Sequence, residues 1–368
     1  HDRVPDRAVQ ALRHHAVKEN PLNTSHALRL VALGACASLA LAACAPGGSA
    51  TQSGSKDASN VPIGLTYIPN IQFSPVYVAD AQGTYADNGI SATIRHHGSH
   101  EGFFTALLAG EEDVVIASGD EAAVAASQGL DIVSIGQYYA SYPGAVIVPA
   151  DSDINSLADL KGKTVGIPGE HGANYYATRA AMQEAGLSES DVTISPIGYT
   201  QQAALASGQV DAVVGFTNND AVQMRLAGLE IREITLNPTS TPLVSASFIT
   251  THKWAQEHPD QARAVVAATT KAMNDIAADP QIAIEATKPW DTSLTDESTL
   301  SAANAVLTAT VPLWLGDTGR ATGKQDLATW AQMVSFLASL GELEGSVDAT
   351  ALATNDYVSA DDSPSPQS

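Results

Sequence analysis

Cysteine, basic residues and aromatic residues are all scarce in this chain of 368 residues. Its two cysteines, Cys36 and Cys44, precede the part with the composition of a folded body, so that part has no disulfide, no thiolate nucleophile and no cysteine metal site. The 18 Lys and Arg residues are outnumbered by 40 Asp and Glu, for a net charge of −22. A surface this acidic is repelled by nucleic acid and by anionic headgroups, which excludes general electrostatic binding to either.

Long hydrophobic runs are also missing, with one short exception at residues 27–43. This run is too short and too rich in small residues to span a bilayer, and it ends in Leu41-Ala42-Ala43-Cys44. The ending resembles a bacterial lipoprotein signal. The resemblance implies cleavage before Cys44, a lipid on its thiol and a position on the extracytoplasmic face of the cell membrane; an ordinary secretory signal is the alternative.

Composition divides the chain into six segments. Residues 1–25 contain no Met and no periodic apolar pattern, so we interpret them as an over-extended start or a disordered leader. Gly, Ser, Ala and Thr dominate the stretch after Cys44, as in a flexible tether, and the acidic, Ser- and Pro-rich C-terminus is expected to be disordered. The predicted segments are a leader and signal peptide (1–43), a lipidated Cys and tether (44–60), the first part of lobe one (61–147), lobe two (148–242), the return of lobe one (243–353) and a tail (354–368).

Within the body, short apolar runs alternate with helical patterns. Residues 61–67 and 90–95 have the pattern of strands, and Ser74-Pro75 supplies an N-cap and a first-turn Pro for a helix between them. The same alternation continues through the second lobe. It predicts an α/β fold of two lobes joined by a hinge, each with a parallel or mixed sheet flanked by helices.

An internal echo links the two lobes. Residues 108–116 match residues 206–214, and each segment then leads through a helix to a Gly-Leu-acid-Ile stretch. The echo indicates the same helix-strand-helix-strand unit in both lobes, although chance similarity of Ala-rich sequence is the alternative. Because the chain leaves lobe one near residue 145 and returns near residue 245, its two crossovers predict a hinge.

Polar and aromatic side chains follow the predicted strands of both lobes. In open parallel sheets, ligands bind beyond the carboxyl ends of the strands, so we expect these loops to converge on one cleft. The loops contain no Lys or Arg, which favours a neutral or weakly cationic planar heterocycle over an anion. The candidate ligand contacts are Asn70, Phe73, Ser118, Asp120, Tyr138, His171, Asn174, Tyr175, Phe216, Asn218, Asn219 and Asp220.

Some of these residues have an alternative structural role. Asn70, Asn174 and Asn218 can each cap a helix, and Tyr138 and the tyrosine after it project to opposite sides of an extended chain. The run His96-His97-Gly98-Ser99-His100 resembles a metal-binding cluster. Successive side chains of a strand project to opposite faces, however, so a strand through this run would place its first two histidines on different sides. The chain has no Ser-His-Asp arrangement, Walker loop or metalloprotease motif, so we predict no catalytic residue, no metal and no cofactor.

An ordered series of motifs resembles one group of transport proteins. The motifs are Tyr67-Ile68-Pro69-Asn70, residues 107–113, residues 159–166, residues 207–212 and Asn218-Asn219-Asp220. They resemble the periplasmic-binding-protein group that contains the thiamine-pyrimidine-precursor, riboflavin, sulfonate and nitrate binders of ABC importers. The resemblance implies a type II binding-protein fold, a small-molecule ligand in the cleft, an ABC permease with its ATPase subunits as partners, and a monomer.

Within that group, the Asn-Asn-acid turn is most similar to that of the pyrimidine-precursor binders, in which the acid is commonly Glu where this chain has Asp220. The resemblance therefore implies a planar heteroaromatic ligand of that type, with riboflavin, sulfonates and nitrate as alternatives. The same family includes a eukaryotic pyrimidine synthase that uses pyridoxal phosphate and a Cys-rich motif, which this chain lacks. We predict a non-enzymatic binding protein; the alternative is an extracytoplasmic enzyme acting on a heterocycle, with His171 and Glu170 as acid and base.

Overall fold

The computed structural model describes residues 58–98 and 101–359. The predicted signal peptide, the predicted lipidation site Cys44 and nearly all of the predicted tether lie outside the described residues, as does most of the predicted tail. Within the described ranges, no helix is both long enough and apolar enough to cross a bilayer.

Ten strands and thirteen α-helices make up the described part of the chain. The strands are β1 (Ser59–Leu65), β2 (Ile90–His96), β3 (Val114–Ser118), β4 (Val133–Gln137), β5 (Gly144–Pro149), β6 (Thr164–Ile167), β7 (Thr193–Pro196), β8 (Ala212–Phe216), β9 (Ile231–Thr235) and β10 (Ala246–Thr250). The helices are α1 (Ser74–Ala81), α2 (Thr84–Asp87), α3 (Thr105–Ala109), α4 (Gly119–Ser127), α5 (Ala173–Glu184), α6 (Gln201–Ala206), α7 (Asp220–Leu226), α8 (His252–Glu257), α9 (Pro259–Ala278), α10 (Gln281–Thr287), α11 (Glu297–Leu315), α12 (Leu327–Leu340) and α13 (Ala349–Leu352).

The strands form two five-stranded sheets with the same plan. The first sheet has the order β2-β1-β3-β10-β4 and the second the order β7-β6-β8-β5-β9. In each sheet one strand, β10 or β5, runs antiparallel to both of its neighbours, while the remaining paired strands are parallel. This confirms the predicted α/β fold with two mixed sheets. We call the bodies around the first and second sheets lobe one and lobe two.

The internal echo in the sequence falls at the centre of each sheet. Residues 108–116 lead into β3 and residues 206–214 into β8, and each of these strands is the middle one of its sheet. Each is followed by one helix, α4 or α7, and then by an edge strand, β4 or β9. The matching segments therefore occupy equivalent places in the two lobes.

Burial on both faces explains why the central strands are apolar without alternation. The side chains of β3 from Val114 to Ala117 are at most 3% exposed, because helices cover both sides of the sheet. The C-terminal helices pack onto lobe one, where Val265, Ala268 and Ile276 of α9 are fully buried against residues of the first sheet. Lobe one is thus braced by the part of the chain that returns to it.

Two segments differ from the sequence prediction. Helix α11 was not predicted from the sequence, although its buried residues Ala303, Val306 and Thr310 recur at helical spacing; it contains Pro312 on its exposed side. Its start is nevertheless marked by Asp296, whose carboxylate accepts hydrogen bonds from the first turn. At the other end of the chain, Asn355 exchanges two hydrogen bonds with the backbone of Gln325, so residues 354–359 pack against lobe one although composition assigned them to the tail.

Candidate ligand-binding site

A cavity lies between the two sheets, at the carboxyl ends of their parallel strands. Lobe one contributes the segments after β1, β2, β3 and β4, and lobe two contributes those after β6, β7 and β8. The start of β10, where the chain has returned to lobe one, adds Ser245 and Ala246. Open α/β sheets bind ligands at this position, because strand-to-helix loops and helix N-termini gather there.

Eight of the twelve candidate residues line this cavity. They are Phe73, Ser118, Tyr138, His171, Asn174, Phe216, Asn219 and Asp220. The other four, Asn70, Asp120, Tyr175 and Asn218, are not part of the lining. The cavity thus brings together residues from five separate loops of the chain.

Two of the four remaining candidates connect the lobes beside the cavity. The Oδ1 atom of Asn70 accepts a hydrogen bond from Gln72 N at 3.1 Å, and its Nδ2 lies 3.5 Å from Asn219 Oδ1 of lobe two. Asn218 is buried and donates from Nδ2 to Thr310 Oγ1 at 2.9 Å, which joins the start of α7 to α11. Tyr175, the third, packs edge to face on the neighbouring tyrosine of α5. These contacts place the three side chains around the cavity and not in its wall.

The fourth, Asp120, lies fully buried beneath the cavity wall in the first turn of α4. Its Oδ1 accepts hydrogen bonds from Ser118 Oγ and from Glu121 N. The Tyr142 hydroxyl lies 3.1 Å from Asp120 Oδ2 and 2.7 Å from Ala173 O. A hydroxyl has one proton, so a protonated Asp120 that donates to the Tyr142 oxygen satisfies all three groups. Burial raises the pKa of Asp120 to about 6, so this protonated form predominates below about pH 6 and the carboxylate is charged at neutral pH.

Glu121, which the sequence analysis did not single out, lines the cavity beside Asp120. Its Oε1 accepts a hydrogen bond from Gly172 N of lobe two, and its Oε2 makes no hydrogen bond within the described residues. Burial, reinforced by the negative charge of Asp120, raises the pKa of Glu121 to about 8. In the absence of a charged ligand, the carboxyl is therefore mostly protonated at neutral pH.

Asp220 adds a carboxyl from lobe two. Its Oδ2 accepts a hydrogen bond from Phe216 N at 2.7 Å, and burial raises its pKa to about 6. Gly215 leaves room for it, because a Cβ at that position would lie 2.8 Å from the Asp220 Cβ. None of the described residues that line the cavity is Lys or Arg, so no basic side chain in the lining offsets these acids.

Aromatic rings and an amide complete the wall. Tyr67 of lobe one and Tyr199 of lobe two both line the cavity and contact each other. Tyr139 donates from its hydroxyl to Gln72 Oε1 at 3.1 Å, which leaves Gln72 Nε2 without a hydrogen bond among the described residues. The Ser245 hydroxyl is also buried without a partner. The wall therefore offers flat apolar faces together with unpaired donors and acceptors.

Several residues of the lining were not among the candidates: Thr66, Tyr67, Gln72, Phe103, Glu121, Tyr139, Tyr199, Gln201 and Ser245. Tyr67 and Gln72 lie in the loop after β1, so the rule that post-strand loops converge could have found them. Tyr199 and Gln201 follow β7, a parallel strand whose loop the sequence analysis did not include. Phe103 lies in an irregular loop, and no pattern in the sequence predicts its position.

The histidines near residue 97 have structural partners. His96 contacts Tyr67 O through Nδ1 at 2.8 Å and the Tyr77 hydroxyl through Nε2 at 2.9 Å. His97 Nε2 lies 2.9 Å from Glu112 Oε1. In the described part of the chain, no group of three or more His, Cys, Asp or Glu is placed to hold a metal ion, and His100 lies outside that part.

The two sheets and the cleft between them define the fold of periplasmic binding proteins. The aliphatic sulphonate binding protein SsuA of Escherichia coli has this fold, with a TM-score of 0.63 and 16% identity; the match covers 81% of this chain and 99% of SsuA. The chain belongs to the NMT1/THI5-like family, whose model matches residues 70–283 and therefore reaches both sheets.

The relatives found by sequence comparison carry different names, which refer to two different ligands and to an enzymatic activity. The riboflavin-binding protein RibY of Chloroflexus aurantiacus is 29% identical over 347 residues, which cover 90% of this chain and 98% of RibY. The formylaminopyrimidine-binding protein of Halalkalibacterium halodurans is 27% identical over 182 residues, 49% of this chain and 55% of that protein. Further matches are named 4-amino-5-hydroxymethyl-2-methylpyrimidine phosphate synthase; the one from Legionella pneumophila is 26% identical over 45% of this chain and 52% of its own.

Proposed function

We propose that this protein is the solute-binding component of an ABC importer and that it closes its two lobes around a planar nitrogen heteroaromatic compound of the thiamine-pyrimidine-precursor type. The observation that carries the proposal is the cavity between the sheets, which combines tyrosine and phenylalanine rings with amides and carboxyls and has no Lys or Arg in its described lining.

The chemistry of the wall suits such a ligand. Aromatic faces stack on planar rings, and Tyr67, Tyr199 and Phe103 supply such faces from both lobes. A ring nitrogen needs a donor, and Gln72 Nε2 is one. An exocyclic amine needs an acceptor, and Glu121 Oε2 is one once its carboxyl is ionised; neither atom makes a hydrogen bond within the described residues. A ligand held by both lobes stabilises their closed arrangement through its higher affinity for that state.

Riboflavin is the second candidate within the same function. It is favoured by the similarity to RibY, which extends over 98% of that protein, whereas the similarity to the formylaminopyrimidine-binding protein covers 55% of it. The isoalloxazine ring is also a planar nitrogen heterocycle with an N–H edge, so the same wall could bind it. Sulfonate and nitrate are less well supported, because an anion would meet Glu121 and Asp220 with no basic residue in the described lining.

The proposed role is non-enzymatic, without a cofactor. The alternative enzyme would use His171 and Glu170 as acid and base, but Glu170 is exposed and is not part of the cavity lining. His171 packs against Phe103, with ring centroids 6.0 Å apart. The similarity to proteins named as synthases covers 45–59% of this chain and 52–66% of those proteins, whereas the similarity to RibY covers 90% and 98%, which supports a binding role.

The proposal extends to the location of the protein. Cleavage before Cys44 and lipidation of its thiol would hold a monomeric binding protein on the extracytoplasmic face of the membrane, beside the ABC permease and its ATPase subunits. The support is the sequence Leu41-Ala42-Ala43-Cys44 at the end of a short apolar run.

Isothermal titration calorimetry of the purified protein tests the ligand class. The probes are 4-amino-5-hydroxymethyl-2-methylpyrimidine, riboflavin and ethanesulfonate, each at the same pH and salt concentration. We expect one of the two heteroaromatic compounds to bind at micromolar or lower concentration and ethanesulfonate to show no heat of binding. Binding of ethanesulfonate alone would overturn the proposed ligand class, and conversion of a bound heteroaromatic compound, detected by mass spectrometry, would overturn the non-enzymatic role.

A further inference from the structure

Helix α5 of lobe two begins at the cavity without a cap of its own. The residue before it, Gly172, has no side chain to accept a hydrogen bond, and its φ of 80° is a conformation that favours glycine. The first turn of α5 contains no acidic residue. Its free N–H groups and the helix dipole therefore present partial positive charge to the cavity, and a partner must come from elsewhere.

Glu121 of lobe one supplies that partner. Its Oε1 accepts a hydrogen bond from Gly172 N across the cleft. The fit is close: a Cβ on Gly172 would lie 3.3 Å from Phe103 Cζ and 4.0 Å from the same Glu121 oxygen. The backbone of Glu121 is fixed in turn, because its N–H donates to Asp120 Oδ1 at 2.8 Å.

The second oxygen of Glu121 has a different environment. The side chain lines the cavity, and Oε2 makes no hydrogen bond within the described residues. One carboxyl oxygen is therefore held by the protein while the other is open to a ligand. When the carboxyl is ionised, this oxygen accepts from a ring N–H or an exocyclic amine. A ligand that carries a proton on a ring nitrogen favours the ionised form, because the two charges then form an ion pair.

We propose that Glu121 selects the charge class of the ligand: it occupies the place at the N-terminus of α5 that an anionic group would take, and it accepts a hydrogen bond from an N–H donor of the bound compound. The inference rests on the proposed solute-binding function and adds the residue that sets its specificity. An anion would have to displace Oε1 from Gly172 N and lie beside a carboxyl group. Discrimination of this kind combines an attractive contact for one ligand class with a repulsive one for the other.

Replacement of Glu121 by Ala tests the proposal directly, because it leaves the N-terminus of α5 open. Calorimetry with ethanesulfonate and with 4-amino-5-hydroxymethyl-2-methylpyrimidine measures both halves of the selection. Relative to the unchanged protein, we expect Glu121→Ala to bind the aminopyrimidine about tenfold more weakly and to show a heat of binding with ethanesulfonate, which the unchanged protein lacks. Glu111→Ala is the matched control: it removes one exposed negative charge from the same lobe and should leave both titrations as they are in the unchanged protein.

A second variant covers the case in which Glu121→Ala fails to fold. Glu121→Gln keeps an oxygen for Gly172 N but cannot ionise, so it should fold and lose any increase of aminopyrimidine affinity that accompanies ionisation of Glu121 between pH 6 and pH 9. Unchanged aminopyrimidine affinity together with no ethanesulfonate binding in Glu121→Ala, or an unchanged pH profile in Glu121→Gln, would overturn the role of Glu121. If the unchanged protein binds neither heteroaromatic compound, the proposed function fails separately, and the gain of ethanesulfonate binding in Glu121→Ala still decides the role of this residue.

Discussion

Tyr67 of lobe one and Tyr199 of lobe two meet edge to face across the cavity, with ring centroids 4.9 Å apart and an interplanar angle of 82°. Aromatic pairs in this geometry contribute about 0.5–1.5 kcal/mol beyond the area that they bury. Because the two rings belong to different lobes, their contact favours the closed arrangement of the cleft. A ligand that binds the closed form gains from every such contact.

We therefore expect Tyr199→Ala to weaken ligand binding by about two- to tenfold, the range that corresponds to loss of the aromatic pair. Calorimetry with the heteroaromatic probe that binds the unchanged protein measures the effect. Tyr357→Ala is the control, since its ring faces Arg263 at 5.8 Å and is not part of the cavity lining. A double-mutant cycle gives the contradicting outcome. If Tyr67→Ala weakens binding by the same factor in the unchanged protein and in the Tyr199→Ala variant, the two rings are not coupled and the prediction is wrong.

Two adjacent asparagines should separate ligand contact from stability. Asn219 lines the cavity, whereas Asn218 donates to Thr310 Oγ1 at 2.9 Å and is buried. We expect Asn219→Ala to weaken ligand binding by about fivefold with little change in Tm, and Asn218→Ala to lower the free energy of unfolding by about 1 kcal/mol, or about 2–4 °C in Tm. Differential scanning calorimetry and titration calorimetry on both variants measure the two effects. The opposite assignment of effects would show that Asn218 is the ligand contact.

The sequence predicted those residues of the site whose position follows directly from the end of a strand. Phe216 and Asp220 follow the apolar run of β8, so they could be assigned to the cleft before the arrangement of the lobes was known. Glu121 could not be separated from Asp120 in this way, because successive residues in the first turn of a helix point about 100° apart. The orientation of α4 decides that Asp120 turns back to Ser118 while Glu121 reaches Gly172.

In the fold, too, elements marked by local sequence patterns could be predicted, whereas arrangements set by contacts between distant residues could not. The bounds of β6 and of most helices follow from apolar runs, caps and first-turn prolines, which are local signals. The position of β10 between β3 and β4 is set by contacts between residues more than a hundred positions apart, and no periodicity in the sequence encodes it. Helix α11 was not predicted, although its exposed residues Glu297, Ser301, Asn304 and Thr308 recur at the spacing of one helix face.

The buried carboxyls of the site predict that stability falls as the pH rises. Burial raises the pKa of Asp120 and of Asp220 from 3.8 to about 6, and that of Glu121 from 4.5 to about 8. Since the folded state binds these protons more tightly than the unfolded state, the groups favour folding below about pH 4, and this contribution is lost between about pH 4 and pH 8. We expect the free energy of unfolding in urea to be lower at pH 8 than at pH 5, by about 1–2 kcal/mol for each Asp, because part of the contribution is already lost below pH 5.

Two variants of cleft carboxyls test the source of this pH dependence, and a surface carboxyl whose pKa is lowered provides the control. Asp220→Asn and Glu121→Gln should each reduce the difference between pH 5 and pH 8, because neither amide ionises. Hydrogen bonds from Ser188 lower the pKa of Asp191 to about 2, so Asp191 contributes stability above its ordinary pKa and loses it only in stronger acid. Asp191→Asn should therefore leave the difference unchanged. A full difference in both cleft variants would exclude the cleft carboxyls as its source.

The lipid anchor can be tested through the two cysteines of the chain. We expect Cys44→Ala to move the protein from the membrane fraction to the soluble fraction. A diacylglycerol on Cys44 would supply the two acyl chains that stable anchoring needs. Without it, the acidic body of a chain with net charge −22 is repelled by anionic headgroups. Its affinity for the ligand should not change, since Cys44 precedes the first strand. Cys36→Ala, in the predicted signal peptide, is the matched control and should stay in the membrane fraction. Retention of Cys44→Ala in washed membranes would show that this residue is not the point of attachment.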